Sequence, residues 1–413
     1  MPIPSPTIVT RAAMSNASRV SAARLSVLWF GIQLAWGAII GVSLQARCIV
    51  LAGHAHATES YGWVSATGAL AAALTQLIAG PISDAMRRRG NKRLAFYAAG
   101  AVGGAAGVLA FYAASDIRGL AIAFAIVQVA FNVVIGPYQA ILPDFVETER
   151  IGTASGWMAA MQSAGNAAGA VLATLLGNTL LLGAAIALAA LAGAAVTVSY
   201  ARGLPLQAVA REQSLMHGRA LVDLFISRGF VYLGFYTLVG YLLFYIGYAL
   251  PPHFGLNATQ GSGICILLFT LVGSAGAALA ARPADRLDER LVVAVGGAIV
   301  ALAVALLAFA HNIVAIPIAI AVAGIGWGVF LCADWAFACR VLPRGALATS
   351  MAIWNIAVVG PQMVAPLLVT ALLARLGTQS SAAGPRHAFV LASAEILLGA
   401  LWIWRLPRRL RGN

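Results

Sequence analysis

The chain has 413 residues, of which 61% are hydrophobic and only 9% charged, with a formal net charge of +13. Soluble domains carry roughly 25% charged residues, so a soluble protein of two or three domains is excluded. Apolar runs of about 20 residues, the length that crosses a bilayer, make this an integral membrane protein.

In chain order, residues 1–23 carry Arg11 and Arg19, several Ser and Thr, and no acid. They lack the short apolar core and small-residue cleavage site of a secretory signal. This segment reads as a basic cytoplasmic tail, starting at either Met1 or Met14. Twelve spans follow, at about 25–51, 61–82, 94–114, 119–143, 153–176, 179–200, 224–250, 261–281, 291–310, 313–338, 346–373 and 387–406. The basic residues, 25 Arg and one Lys, mostly close these runs. That placement orients a chain in a membrane and does not point to nucleic acid. All but Arg47, Arg118, Arg375 and Arg386 fall on one side when both termini are cytoplasmic. The expected location is a bacterial inner membrane.

The first span sets Gln33, Trp36, Ile40 and Arg47 near one helical face. Arg47 either snorkels to the outer interface or guards an outer vestibule. His54 and His56, in the loop expected after it, are pH-sensing candidates or exposed filler. The second span closes on "GPISDAMRRRG", with Gly80, Asp84, Arg88 and Arg89. The fourth sets Gln128 and Asn132 four residues apart, then Gln139, and ends in "ILPDF" with Asp144. Arg150 precedes the fifth, where Gln162 and Asn166 are again four apart. The polar interval 201–221 is a cytoplasmic linker. The expected organisation is a tail (1–24), a six-helix bundle (25–200), the linker (201–223), a second six-helix bundle (224–406) and a tail (407–413).

Tyr241, Tyr245 and Tyr248 share a face of the seventh span. The eighth closes on "ARPADRLDER", and its Asp285 lies 201 residues after Asp84. The tenth carries Trp327, Asp334 and Arg340 and closes on "VLPRG", whose Pro343 lies 200 residues after Pro143. Two markers at nearly one offset indicate parallel repeats. The eleventh span carries Trp354, Asn355 and Gln362. Glycines four apart (103/107, 152/156, 165/169, 324/328) permit close helix contact.

Asp334 is the residue that its surroundings do not explain, a carboxylate inside "GIGWGVFLCADWAFACRVLP". An ionised Asp at a helix centre costs about 2.5–3.5 kcal/mol on insertion scales. It either binds and releases a proton, holds a neighbouring cation, or forms a salt bridge that only holds the bundle together. Asp144 is the second proton-coupling candidate. Arg47 lies about 20 Å from Asp334 at 1.5 Å per residue, so the two are not expected to pair. The loop acids read as solvated, and Glu395 in the twelfth span as facing a packing partner. Amides at helical spacing offer the donors and acceptors that sugar hydroxyls require, and Trp36, Trp327 and Trp354 offer apolar platforms. Interhelical bonding and an aromatic belt are the competing explanation. The four cysteines lie in spans with no CxxC, so neither a metal site nor a disulfide framework is expected.

"GPISDAMRRRGNKR" resembles the loop signature of the major facilitator superfamily, Gly-x-x-x-Asp with a basic cluster, and its second-half counterpart is degenerate. "GIQLAWGAIIGVSLQ", the spacing of Gln76, Gly80, Ser83 and Asp84, "FNVVIGPYQAILPDF", "GNAAG" and "LPRGALATSMAIWNIAVVGPQMVAP" are similar to the sucrose–proton symporter and glycoside–pentoside–hexuronide branch. Here Ala85 stands where an Arg is usual, Gly90 is one place early, and Arg150 is the nearest match to the branch's membrane Arg. The resemblance implies an all-α membrane protein with twelve transmembrane helices in two six-helix repeats. It implies proton-coupled alternating access for a small polar solute, a sugar or glycoside. It also brings the ends of the fourth and tenth spans together when the inner gate shuts; Asp144 and Arg344 either pair there, directly or through Arg150 or Arg340, or are two unrelated interfacial charges. The rival functions are a proton-driven exporter of drugs or amphipathic metabolites, and a non-transporting receptor on the same fold. No nucleotide signature, zincin motif or catalytic triad occurs, so no enzyme activity, cofactor or metal is expected. The partners are the solute, protons and lipid, with the protein a monomer.

Overall fold

The computed structural model describes residues 20–146, 151–207, 219–249, 257–310, 314–341, 347–379 and 381–406. They form helices, with no strand among them. Helix α1 (Ala22–Ala38) passes through a π-helical turn (Ile39–Ser43) into α2 (Leu44–Arg88). Then follow α3 (Leu94–Ala113), α4 (Ile117–Gln139), the single turn α5 (Ile141–Phe145), α6 (Ile151–Leu176) and α7 (Leu180–Arg202). The second half holds α8 (Arg219–Ala249), α9 (Ala258–Arg286), α10 (Glu289–Ala308), α11 (Ala315–Val341), α12 (Leu347–Leu376) and α13 (Ala383–Trp402).

Ten helical stretches among the described residues are long and apolar enough to cross a membrane. The first of them, Ala22–Arg88, runs 67 residues, more than two crossings need. It breaks at Gly53, whose φ of 73° and ψ of 162° reverse the chain, a conformation that only glycine adopts without strain. With those two crossings and the 26-residue α6, the described residues make twelve. The turn at Gly53 replaces the loop expected there, so His54 and His56 lie on the helix that resumes after it, exposed.

Short connections end in side-chain caps that satisfy the first backbone N–H groups of the next helix. Asp116 accepts from Gly119 N at 2.8 Å at the start of α4. Asn257 and Gln260 form a capping box at the start of α9. Arg47 is buried, not snorkelling, and donates to the Ala114 carbonyl just past α3. A cation there satisfies an orphan carbonyl and complements the helix dipole.

The packing repeats. In the first half α1 lies on α6 and α7, α3 on α4 and α7, and α2 on α4. In the second, α8 lies on α12 and α13, α10 on α11 and α13, and α9 on α11. Exchanging the halves maps one set onto the other, and also maps the α2–α12 contact onto the α9–α6 contact that joins them. Small residues allow these approaches: a Cβ at Gly169 would overlap the Leu34 carbonyl of α1, and one at Gly328 the Gly273 carbonyl of α9. Leu188, Leu302, Ile318 and Leu279 are exposed on the outer wall, as expected where lipid is the solvent.

Candidate functional site

Among the described residues, three polar groupings inside this apolar bundle stand out. The first is a charge network where α2, α3, α5 and α12 meet. Asp144 accepts from Arg87 Nε at 2.8 Å and from Arg93 Nε at 2.8 Å, one arginine on each carboxylate oxygen. Arg93 continues to Asp84 at 2.9 Å and to Ser83 Oγ. The second oxygen of Asp84 crosses to the other half, accepting from Thr349 N at 2.8 Å and Thr349 Oγ1 at 2.6 Å. Thr349 is the third residue of α12, so Asp84 caps that helix from outside, where an anion is favoured. Burial opposes the charge on Arg93, but the Asp144 and Asp84 carboxylates outweigh it and hold its pKa above the ordinary value. The segment after α7 joins the network: Gln207 N donates to the Asp144 carbonyl at 2.9 Å, and Arg87 donates to the Gln207 carbonyl.

Asp144 is therefore held by Arg87 and Arg93, which the sequence did not single out. Arg88 and Arg89, which it did, are exposed. Arg150 and Arg344 lie outside the described residues. Asp285 and Arg340 lie within helices, but their side chains are also outside the description. Gly80 is buried one turn before Asp84.

The second grouping is a chain of amides crossing between the halves. Asn355 Nδ2 on α12 donates to Gln76 Oε1 on α2 at 3.0 Å. Gln76 Nε2 donates to Asn132 Oδ1 on α4, and Asn132 Nδ2 to Gln128 Oε1 at 3.1 Å. The amide orientations follow from this network. The chain ends at Gln128 Nε2, a buried N–H without a protein acceptor. Nearby in sequence register, Asn166 Nδ2 on α6 donates to Gln33 Oε1 on α1 at 3.1 Å, and Trp29 Nε1 to Gln162 Oε1 at 3.3 Å.

The third grouping answers the puzzle of Asp334. Arg228 on α8 forms an ion pair with Asp334 on α11, and both side chains are 5% exposed. At that burial the pair must be hydrogen-bonded and enclosed to persist. The guanidinium carbon sits 4.4 Å from the Trp354 ring and 4.9 Å from the Tyr232 ring. Two aromatic faces thus replace part of the lost hydration. Arg228 Nε and Trp354 Nε1 are both buried without a protein acceptor. Sequence order hid this arginine among helix-end charges. Its signal was depth, more than two turns beyond the start of α8.

The aromatic platforms are mostly committed to packing. Trp327 stacks on Phe235 with centroids 4.1 Å apart and on Phe330 at 5.4 Å. Trp36 is half-buried, edge-on to Phe131 at 5.5 Å. Tyr241 bonds to Pro366 O at 3.3 Å and Thr370 Oγ1 at 3.2 Å on α12, at the junction of the halves. Tyr245 turns the other way, donating to Leu307 O at 3.0 Å at the end of α10. The Tyr248 side chain is outside the description. Gln139 ends α4 half-buried, and Gln362 is buried on α12. Glu395 is buried against α8, bonded to Thr237 at 3.3 Å through one oxygen, with no partner for the other.

Residues 20–366 match the family model of the Major Facilitator Superfamily. The chain belongs to that superfamily. Its fold is also similar to that of solved transporters. Against the nucleoside transporter NupG the TM-score is 0.70 at 13% identity, covering 93% of this chain and 99% of the other. A bacterial homologue of the human lysosomal transporter Spinster, inward-facing and unoccupied, gives 0.68 at 12% identity, covering 93% and 96%. Its occupied inward-facing form gives 0.67 at 13%, covering 98% and 99%. No curated protein matches by sequence. The all-α, multi-pass major facilitator fold expected from the sequence is the fold observed.

Proposed function

We propose that this protein is a secondary transporter carrying a small polar solute, a sugar or glycoside of the kind its sequence motifs resemble, by proton-coupled alternating access. The amide chain from Gln128 to Asn355 carries this reading. It spans both halves inside an apolar bundle and ends in a buried N–H without a protein acceptor. Buried amides are costly unless bonded, and those that change partners as the halves move are suited to exchange hydrogen bonds with a hydroxylated solute. Gln33, Gln162 and Asn166 extend the set within the first half.

With both termini cytoplasmic, the Asp84–Thr349 contact is the inner gate, and the edge-on contact of Tyr61 with Tyr241, ring centroids 5.8 Å apart, is the outer one. Asp334 is the proton carrier in this reading. Protonation neutralises it and frees Arg228, so the ion pair is made and broken once per cycle. Intramembrane acids commonly mark such pathways.

The test is uptake into proteoliposomes of a panel of labelled mono- and disaccharides, with and without an inward proton gradient. Gradient-dependent accumulation of a panel member supports the reading. Asp334→Asn should abolish accumulation yet keep exchange at equal pH. Flux of hydrophobic cations with no sugar flux would favour an exporter and end the sugar reading. Accumulation persisting in Asp334→Asn would move the proton to Asp144 or Glu395.

A further inference from the structure

We infer that a groove on the outer wall of the first half, between α3 and α7, is a binding site for an anionic phospholipid. The groove has a volume of about 320 Å³. Its floor is made by the buried Ala101 and Ala194, and its sides by the exposed Ala98, Leu191 and Ala195. Arg202 closes one end. From Leu191 to Arg202 is about 16 Å at 1.5 Å per residue, the depth of one leaflet of a hydrocarbon core about 30 Å thick. That length suits one acyl chain running toward the membrane centre from a headgroup at Arg202. On the orientation proposed above, this end faces the cytoplasm, the side on which anionic lipids attract basic residues.

The charge at that end selects the headgroup. Arg202 is exposed, and no ion pair holds its guanidinium among the described residues. Lys92 donates to the Ala201 carbonyl at 3.1 Å and to the Arg202 carbonyl. It thereby offsets the negative end of the α7 dipole, which would otherwise repel an anion. No side chain caps the start of α3, two residues after Lys92, so the first N–H groups of that helix favour an anion there too.

The internal repeat shows what the first half lacks. In the second half Arg290 stands where Lys92 does, donating to the Leu406 carbonyl after α13 at 2.8 Å. There the chain supplies its own anion. Asp288 caps the start of α10, accepting from Arg290 N at 3.0 Å, and pairs with the Arg290 guanidinium. The seam beside it is closed, since a Cβ at Gly297 of α10 would lie 2.7 Å from the Ala400 Cβ of α13. The turn before α3, Gly90 to Arg93, contains no acid. Asp84 and Asp144 are buried and already engaged by Arg87 and Arg93. A phosphate beside Arg202 and the start of α3 would do from the membrane what Asp288 does from the chain. The apolar groove below it makes that phosphate a lipid's.

The experiment is native mass spectrometry of the purified full-length protein with added dioleoylphosphatidylglycerol or dioleoylphosphatidylcholine. The quantity read is the ratio of the two affinities for the first lipid bound. In the wild type the anionic lipid should bind several-fold more tightly. Arg202→Gln should lower the ratio about fivefold, the roughly 1 kcal/mol that one basic residue is worth beside an anionic surface. Ala98→Leu/Ala195→Leu fills the groove from its exposed sides and spares the packed floor. It should weaken the first site for both lipids at least about fivefold. Arg405→Gln, which removes an exposed arginine at the same membrane face of the second half, should leave the ratio unchanged. Equal loss in the Arg202 and Arg405 variants would mean diffuse attraction to a basic surface, and the inference fails. A wild-type ratio of one, or undiminished binding with the groove filled, overturns it as well. Glycerol 3-phosphate, a headgroup without chains, should not displace the lipid at equal concentration. If it does, the site takes a free phosphate ester and the lipid is removed from it.

Discussion

At the residue scale, the Arg228–Asp334 pair illustrates how a cost sets a partner. Removing one member of a buried ion pair costs about 3–5 kcal/mol, because the other charge is stranded. Arg228→Ala is thus expected to lower unfolding stability in detergent by that amount. The double variant Arg228→Gln/Asp334→Asn, having no stranded charge, should recover most of it. Equal loss in both would mean that the packing of the arginine stem and its aromatic neighbours matters more than its charge. Asp334 is legible in the sequence because apolar residues surround it. Arg228 is not, because charges near helix ends look alike until depth is known. The same limit explains the basic cluster after Asp84. Three consecutive arginines point in three directions on a helix of 3.6 residues per turn, and only Arg87 faces inward to Asp144. Arg93 sits beyond the turn and could be assigned only once the fold had placed it between two carboxylates.

At the element scale, what the sequence announces is the length and apolarity of the helices, and twelve crossings follow from that. What it does not announce is how one helix ends and the next begins. Gly53 turns the chain with no loop, and the π-helical turn Ile39–Ser43 is a local change of register that no apolar period reveals. Nor does it show that the start of α12 is capped from the other half. The Asp84 carboxylate supplies both that cap and the neutralisation of Arg93. Asp84→Asn keeps the volume and one acceptor oxygen but removes the charge. The contact should weaken by about 0.3–1 kcal/mol, the usual worth of a negative charge at a helix N-terminus. The expected result is greater thiol-reagent labelling of a cysteine placed at Ser350, which is buried beside the contact. Unchanged labelling would show that α12 stays seated without the charge. The helix contacts themselves depend on missing side chains. Gly328→Leu would force α11 off α9 and is expected to destabilise the second half, measured as loss of folded protein on extraction from the membrane. Normal yield would mean that the backbones can separate without loss.

At the scale of the whole molecule, the two halves touch along α2 and α12 at both ends. Asp84 meets Thr349 at one end, while at the other Tyr61 meets Tyr241 with centroids 5.8 Å apart and Thr370 donates to the Thr58 carbonyl at 3.4 Å. A transporter that alternates access must break one set while keeping the other. The internal repeat makes this movement natural, since each half has its own packing pattern and the two halves meet chiefly along two symmetry-related helix pairs, α2–α12 and α6–α9. The Thr370 end offers a direct test. A Cβ built on Gly62 would lie 3.6 Å from the Thr370 Cβ, within the roughly 3.5–4.5 Å range of disulfide-linked residues. With Cys48, Cys265, Cys332 and Cys339 first replaced by Ser, Gly62→Cys/Thr370→Cys should oxidise to a disulfide across the halves. Linked protein should lose transport and regain it on reduction, while either single cysteine should transport under both conditions. The bond would prevent that end from opening without touching the amides or the Arg228–Asp334 pair, so solute reaching the site from the Asp84 end should still bind. Full transport by the linked protein would show that α2 and α12 never part there, and the opening would have to lie instead along the α6–α9 contact.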